Sequence, residues 1–487
     1  MSANSDEILQ QVRAEFEAIL TFVLEASPTS VPDADTMERG LFRQLFALGC
    51  TLLRLYFQQQ DRQMASATVA GKEGRDLPYH SRKQRTYLSI FGEVRFERRY
   101  YYLPEEGRYP LDATLNLPES GPSDLLREWR EKLSIYGSYQ KATRDLAEFL
   151  GHQASTRQVQ QDIAKDAGSV EAFYEQVPKP PHDPDATILV VQADGKGVPM
   201  RKTTEAAEKV RKGKGEKTSH KKEAIVTSVY TIAAAPRTPE EVVASLFESG
   251  KNKTEPAERS GPTNKRLFAT LEGKDVALLR TAQHSWKHQG PHIRSRVALT
   301  DGAEALQKRV LALFVGFVLV LDCIHAIEYL WKAANALLGE TSEARTDWVK
   351  ARALLMLSGQ TQSVIDDLRQ LAQSADTPKT IGKTLETVAN YYERNLAYMH
   401  YDEYLASGWP IGTGVIEGAC RHLVKDRCEL SGMRWSKEGA EALLQLRSVA
   451  ENGDWNEFHA YRRAQRRVSL YGEKTPADRP IELQVAA

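Results

Sequence analysis

Four short, intensely apolar segments constrain this chain more than anything else in it: ATILVVQAD at 186–194, EAIVTSVYTIAA at 223–234, RVALTDG at 296–302 and GFVLVLD at 316–322. Runs this apolar at consecutive positions read as strands buried on both faces of a sheet. Helical segments are expected between them, at about 264–284 and 303–315, which makes the fold class α/β. Three of the four segments finish on an acid, Asp194, Asp301 and Asp322, and the first two acids are followed by glycine. An acid at the end of a buried strand is held by a rigid scaffold at the sheet edge where ligands bind. Carboxylates converging there repel one another, a divalent cation relieves that repulsion, and hard cations such as Mg²⁺ take oxygen ligands. Taken singly, each Asp-Gly is equally the signature of a turn or of a helix N-cap.

The stretch before the strands divides into three regions. Residues 1–64 hold two amphipathic helices, at 6–26 and 37–60, with Leu9, Val12, Phe16, Ile19 and Phe22 at helical spacing in the first. Residues 65–121 hold a hairpin, RTYLSIFGEVRFERRYYYL, turning near Gly92, and then a proline-containing segment. Residues 122–180 hold helices at about 123–136, 138–150 and 156–167, the last with Ser155 and Thr156 available as caps. A helix, a short turn and a second helix make 138–167 a helix-turn-helix candidate, with Arg157, Gln158 and Gln161 on the first turns of the recognition helix. A plain three-helix packing unit would have the same pattern. A fragment of about residues 1–180 is therefore expected to bind DNA without cutting it.

After the linker-like VPKPPHDPDA, the α/β region is expected at 181–325 and again at 406–487, split by an all-helical stretch at 326–405. Residues 236–264 are polar and read as a long surface loop. The run RKGKGEKTSHKK places Lys212, Lys214 and Lys221 between the first two strands, where they can meet phosphates or stay solvated. The last block opens with SGWPIGTGVIEGAC, a glycine-rich turn entering a helix with Glu417 as a buried acid early in it. Arg421 and Lys425 follow at helical spacing, and Arg434 and Trp435 lie in the nearby SGMRWS, with Trp435 a candidate for stacking on a base. A glutamate there is also what the helix dipole favours.

Composition removes several classes. With 487 residues and 41% hydrophobic content the chain is long enough for about three domains. Four scattered cysteines and no CxxC pair exclude a disulfide scaffold or a zinc ribbon. The longest apolar stretch, Val310 to Ile327, is interrupted by Gly316, Asp322 and His325, so it reads as core and no membrane span is expected. The N-terminus lacks a signal-peptide pattern, and the expected location is cytoplasmic. Lysine plus arginine and aspartate plus glutamate both total 65, so any nucleic-acid affinity must come from charge segregated along the chain.

The motifs ADGKG, LTDG, LDCIHAIEYLW, PIGTGVIEGACRHLVKDR and SGMRWS, together with the FGEVRFERRYYY hairpin, resemble the ISKra group of bacterial insertion-sequence transposases over most of the chain. The resemblance implies an RNase H-like catalytic core, a mixed sheet flanked by helices with a long all-helical insertion. It also implies a DDE triad on Asp194, Asp301 and Glu417 that binds two Mg²⁺ (or Mn²⁺) ions. Asp322, Cys323 and His325 match the C/DxxH signature of Mutator-like members, and Asp322 is the alternative to Asp301 as second carboxylate. The implied partner is double-stranded DNA, both transposon ends and target, bound by a homodimer or larger assembly at the bacterial nucleoid. Two further readings stay open: a nuclease or resolvase on the same fold that cuts without joining, and a DNA-binding regulator with a degenerate catalytic domain.

Overall fold

The computed structural model describes residues 5–24, 32–71, 75–202, 220–247, 260–430 and 432–472. It divides into two compact units, residues 1–169 with 455–487, and residues 170–454. No described helix is long and apolar enough to cross a membrane.

The first unit begins with α1 (Ser5–Leu24) and α2 (Ala34–Gln63), the latter capped by Asp33, whose carboxylate accepts from the Thr36 N–H at 2.8 Å. An antiparallel sheet follows in the order β1 (Thr68–Ala70), β2 (Asp76–Ser89), β3 (Gly92–Leu103), β4 (Glu106–Arg108). The central hairpin is longer than its β-branched core suggested, and it turns where Gly92 holds φ at +126°. Phe57 of α2 packs with Val94 and Phe96 of β3 and with Leu111 and Leu117 around α3 (Pro110–Thr114). Three helices come next, α4 (Asp124–Tyr136), α5 (Tyr139–Leu150) and α6 (Thr156–Ala167). Each starts on a serine, Ser123, Ser138 and Ser155, whose hydroxyl accepts an orphan backbone N–H of the first turn at 3.1 Å. Helix α6 buries Val159, Ile163 and Ala167 and leaves Arg157, Gln158 and Gln161 exposed.

The unit is completed by the C-terminal helix Trp455–Tyr471, which corrects the expectation that the α/β region extends to the end of the chain. Arg466 of that helix holds Asp124 through two bonds of 2.7 Å, and the Trp455 indole donates to Glu128 at 3.1 Å. A fragment ending near 180 would lack these partners.

The second unit contains α7 (Val170–Gln176), β5 (Ile188–Pro199), β6 (Lys221–Ile232), α8 (Pro239–Phe247), β7 (Thr263–Thr270), α9 (Lys274–Lys287), β8 (Ser295–Thr300), α10 (Glu304–Leu313) and β9 (Val318–Leu321). The strands form one mixed sheet in the order β7-β6-β5-β8-β9. Pairing is antiparallel from β7 through β5 and parallel from β5 through β9. Side chains alternate across it. Leu189, Val191, Ala298 and Leu319 pack with Leu278 and Ala282 of α9 and Leu306 and Val310 of α10. Val190, Val297, Leu299 and Val320 face the opposite layer, which is built on Ala326 and Leu330. Cores on both sides explain why these strands are apolar at most positions.

That second layer is the expected helical stretch: α11 (Cys323–Leu338), α12 (Ala344–Leu357), α13 (Thr361–Gln373), α14 (Lys379–Asn395) and α15 (Tyr401–Ala406). The chain then runs through α16 (Gly414–Ala419), a π-helical turn Cys420–Lys425, the single turn α17 (Asp426–Cys428) and α18 (Lys437–Glu451).

Three expectations are corrected. The helix expected at 264–284 is strand β7 up to Thr270 and helix only from Lys274. The loop expected at 236–264 contains α8. Asp194 does not end its strand, because β5 pairs with β6 as far as Pro199 opposite Lys221.

Candidate active site

What does end near Asp194 is the pairing of β5 with β8, whose last partners are Gln192 and Leu299. Asp194 thus lies at the carboxyl edge of the parallel half of the sheet, on a strand that continues as one arm of a hairpin. Its Oδ1 accepts from the Gly195 N–H at 2.6 Å and its Oδ2 from the Cys420 thiol at 3.3 Å. Burial raises its pKa, the Gly195 and Cys420 bonds oppose that, Asp301 adds like-charge repulsion, and His325 pulls the other way.

Asp301 follows β8 directly, and its Oδ1 accepts from the Ala303 N–H at 2.9 Å, an Asx turn that shapes the entry to α10. Its main-chain carbonyl accepts from the Tyr391 hydroxyl at 3.1 Å, and that of Gly302 from Arg394 at 2.9 Å. Helix α14 thereby fastens the loop that carries Asp301.

Asp322 follows β9 and is the N-cap of α11. It is fully buried. Its Oδ1 accepts from the Ile324 N–H at 3.0 Å, and its Oδ2 accepts from His325 Nδ1 at 2.8 Å and from the Thr413 hydroxyl. That Asp322 bond is the main cause raising the His325 pKa to about 9, against burial and with smaller contributions from Glu328 and Asp301. The imidazole is protonated at neutral pH and half-buried.

Glu417, expected as a buried acid, is instead exposed on α16. Its nearest hydroxyl is that of Thr413, 3.4 Å from Oε1. Gln192, two residues before Asp194 on β5, accepts from the Ile416 N–H at 3.0 Å and donates to the Tyr230 hydroxyl at 3.1 Å. This buried amide ties the strand of Asp194 to the helix of Glu417. Asp322, His325 and Glu417 each offer a ligand atom within 4.8 Å of the others. Proximity and saturation point different ways here. Among the described residues Asp322 accepts three hydrogen bonds, Asp301 Oδ2 accepts none and Glu417 has only the Thr413 contact. Asp301 and Glu417 are the more available hard-ion ligands, and each oxygen of Asp194, with one bond, keeps a second lone pair.

Around this cluster Arg421 and Lys425 are exposed, with Arg421 3.7 Å from Asp426. Arg434 is exposed, and Lys221, at the start of β6, is paired with Glu429 at 2.5 Å. Lys212 and Lys214 lie outside the described residues. Trp435 is a correction. Its ring is only 7% exposed, its indole donates to the Cys428 carbonyl at 3.1 Å, and the Arg427 guanidinium covers it at 4.8 Å. Its backbone N–H bonds the Pro199 carbonyl at 3.0 Å, so this tryptophan anchors the end of β5 and offers no face to a base. Sequence reading missed Gln192, Tyr391, Arg394, Thr413 and Cys420, none of which stands in a motif of its own.

Comparison with known proteins adds one partial match. No curated protein matches the chain. A family model described as Uncharacterised protein family (UPF0236) matches residues 34–233, a stretch that includes Asp194 and stops short of Asp301, Asp322 and Glu417.

Proposed function

We propose that the protein is a DDE transposase that binds the ends of an insertion sequence, cleaves the DNA and joins the 3′ ends to target DNA. The observation that carries this reading is the convergence of four acids from separate segments on one edge of a mixed sheet. Asp194 and Asp301 are close enough to repel, and Asp322, His325 and Glu417 are within 4.8 Å of one another. The sheet order β7-β6-β5-β8-β9, antiparallel then parallel, supports assigning the core to the RNase H-like type.

Asp194, Asp301 and Glu417 fit hard divalent cations, since each offers carboxylate oxygens. Asp194, Asp301 and Glu417 would hold two Mg²⁺ or Mn²⁺ ions. When bound, such a pair supplies charge for the scissile phosphate and lowers the pKa of the attacking water or 3′ hydroxyl. The chain's own groups do the rest. Asp322 holds His325 protonated and oriented, so that Nε2–H can donate to a phosphate oxygen or to the leaving oxygen. Gln192 and Tyr391 fix the segments carrying Glu417 and Asp301. Arg421 and Lys425 extend the positive surface beyond the acids for flanking phosphates.

The test is a strand-transfer assay with a labelled element end and Mg²⁺. Asp194→Ala, Asp301→Ala and Glu417→Ala should each reduce cleavage by at least about 10³-fold while leaving duplex binding within a few-fold, because ligation serves the transition state. Cutting without any joined product would favour the nuclease reading. Normal cutting by Asp301→Ala beside an inactive Asp322→Ala would move the second carboxylate to Asp322.

A further inference from the structure

The C-terminal helix carries YRRAQRR at 461–467, a run with no evident role in the chemistry above. In the first unit it encloses, with α4 and α6, a cavity of about 320 Å³ lined by five cations against three acids. Most of those charges are mutually committed. Arg466 holds Asp124 through two bonds of 2.7 Å, and Arg127 and Arg462 both hold Asp166. His459 on the wall is neutral, burial having pulled its pKa down to about 3. Outside these pairs lie Lys165 from α6 and Arg463 from the C-terminal helix, whose charge also acts on Asp124, and Glu119 lines the same cavity. Among the described residues neither cation has an acid within ion-pair distance.

The position of Lys165 gives the cavity its meaning. It follows Gln158 and Gln161 at spacings of seven and four residues, so all three lie along one side of α6. Phosphate contacts fix a protein's register on a duplex, and base-edge contacts read the sequence. We propose that this cleft is a phosphate clamp for double-stranded DNA, in which Lys165 and Arg463 grip the backbone of one strand while Arg157, Gln158 and Gln161 meet the groove beside it. The clamp rests on the duplex-binding part of the proposed function and is independent of its chemistry. The Arg–Asp pairs tie the C-terminal helix, which carries Arg463, to α4 and to α6, which carries Lys165.

The test is fluorescence anisotropy of the full chain with a labelled element end and with an unrelated duplex, in EDTA, over a salt series. Lys165→Ala with Arg463→Ala should weaken both duplexes to a similar degree, about 10-fold or more near physiological salt. It should also flatten the slope of log K against log salt by about 2, at roughly 0.9 per lost phosphate contact. Glu119→Gln should strengthen binding. Melting curves of the variants should stay close to the parent, since the Asp124 and Asp166 pairs with Arg466, Arg127 and Arg462 are kept. An unchanged salt slope, a loss confined to the element end, or failure of the parent to bind any duplex would overturn the clamp. A parent that binds duplex with the predicted salt response but neither cuts nor joins would leave the clamp standing and remove the transposase reading.

Discussion

His325 answers to two opposing demands. Burial disfavours its charge, while Asp322 Oδ2 at 2.8 Å, with Glu328 and Asp301 further out, favours it, and the balance sets the pKa at about 9. In an unfolded chain the same group titrates near ~6.5. The native state therefore binds the proton more tightly. This contribution to stability is complete below about pH 6.5 and is lost as pH rises through about 9. In EDTA, the melting temperature of the parent should fall across that window, and His325→Gln should remove most of that fall. Asp322→Asn should do the same through the lost partner. If the parent and His325→Gln keep the same pH slope, the histidine is not the group that Asp322 holds charged. Single-turnover cleavage at low temperature separates chemistry from folding: a catalytic donor loses rate in a variant that is fully folded, and a purely structural histidine does not.

At the scale of elements, helix α14 reaches across to the loop that carries Asp301. Tyr391 stacks flat on Tyr329, with centroids 3.7 Å apart, and donates to the Asp301 carbonyl, while Arg394 takes the next carbonyl. Gly302 makes that approach possible. Its φ is +88°, and a Cβ there would meet the Tyr391 hydroxyl at 2.7 Å. Gly302→Ala should cost ~1–2 kcal/mol in backbone strain alone, and by displacing Tyr391 it should lower cleavage more than its stability loss explains. Tyr391→Phe removes one hydrogen bond, worth about 1 kcal/mol, and should slow cleavage with little change in melting. Full activity in both variants would mean that α14 only packs. None of this clamp was legible in the sequence, because the aromatic spacing of α14 is that of any core helix. The strands were legible because burial on both faces removes charged and most polar residues from their interiors. The span of β5 was not: beyond Asp194 the run GKGVP holds two glycines and a proline, which disfavour a strand, and its pairing with β6 is a property of the hairpin. Strand β7 was read as helix because only LFAT at its end is fully buried while the polar TNKR before it is half-buried or exposed. Trp435 looked like a stacking residue because its sequence neighbours are basic; its burial depends on β5, more than 200 residues earlier.

At the scale of the molecule, one unit is continuous and the other is not. Residues 170–454 hold the mixed sheet, its helical layers and every acid of the candidate site, whereas residues 1–169 are completed by the helix at 455–471. Removing that helix takes Arg462 from Asp166, which is almost fully buried, and Arg466 from Asp124. It also uncovers the surface against which Trp455 and Phe458, at 5% and 0% exposure, are packed. Breaking a buried ion pair by deleting one partner costs ~3–5 kcal/mol; Arg127 still serves Asp166, so the lower part of that range applies to the ion pairs. The lost apolar burial adds to it. A protein of residues 170–454 should therefore melt cooperatively by itself. A protein of residues 1–169 should melt well below its counterpart in the full chain, and a version joined by a short linker to 455–472 should recover the difference. Circular dichroism melting of the three, with duplex binding measured on the first-unit versions, decides the point. Equal melting of 1–169 with and without the appended helix would show the C-terminal helix to be an accessory, and the helix-turn-helix candidate would then stand without it.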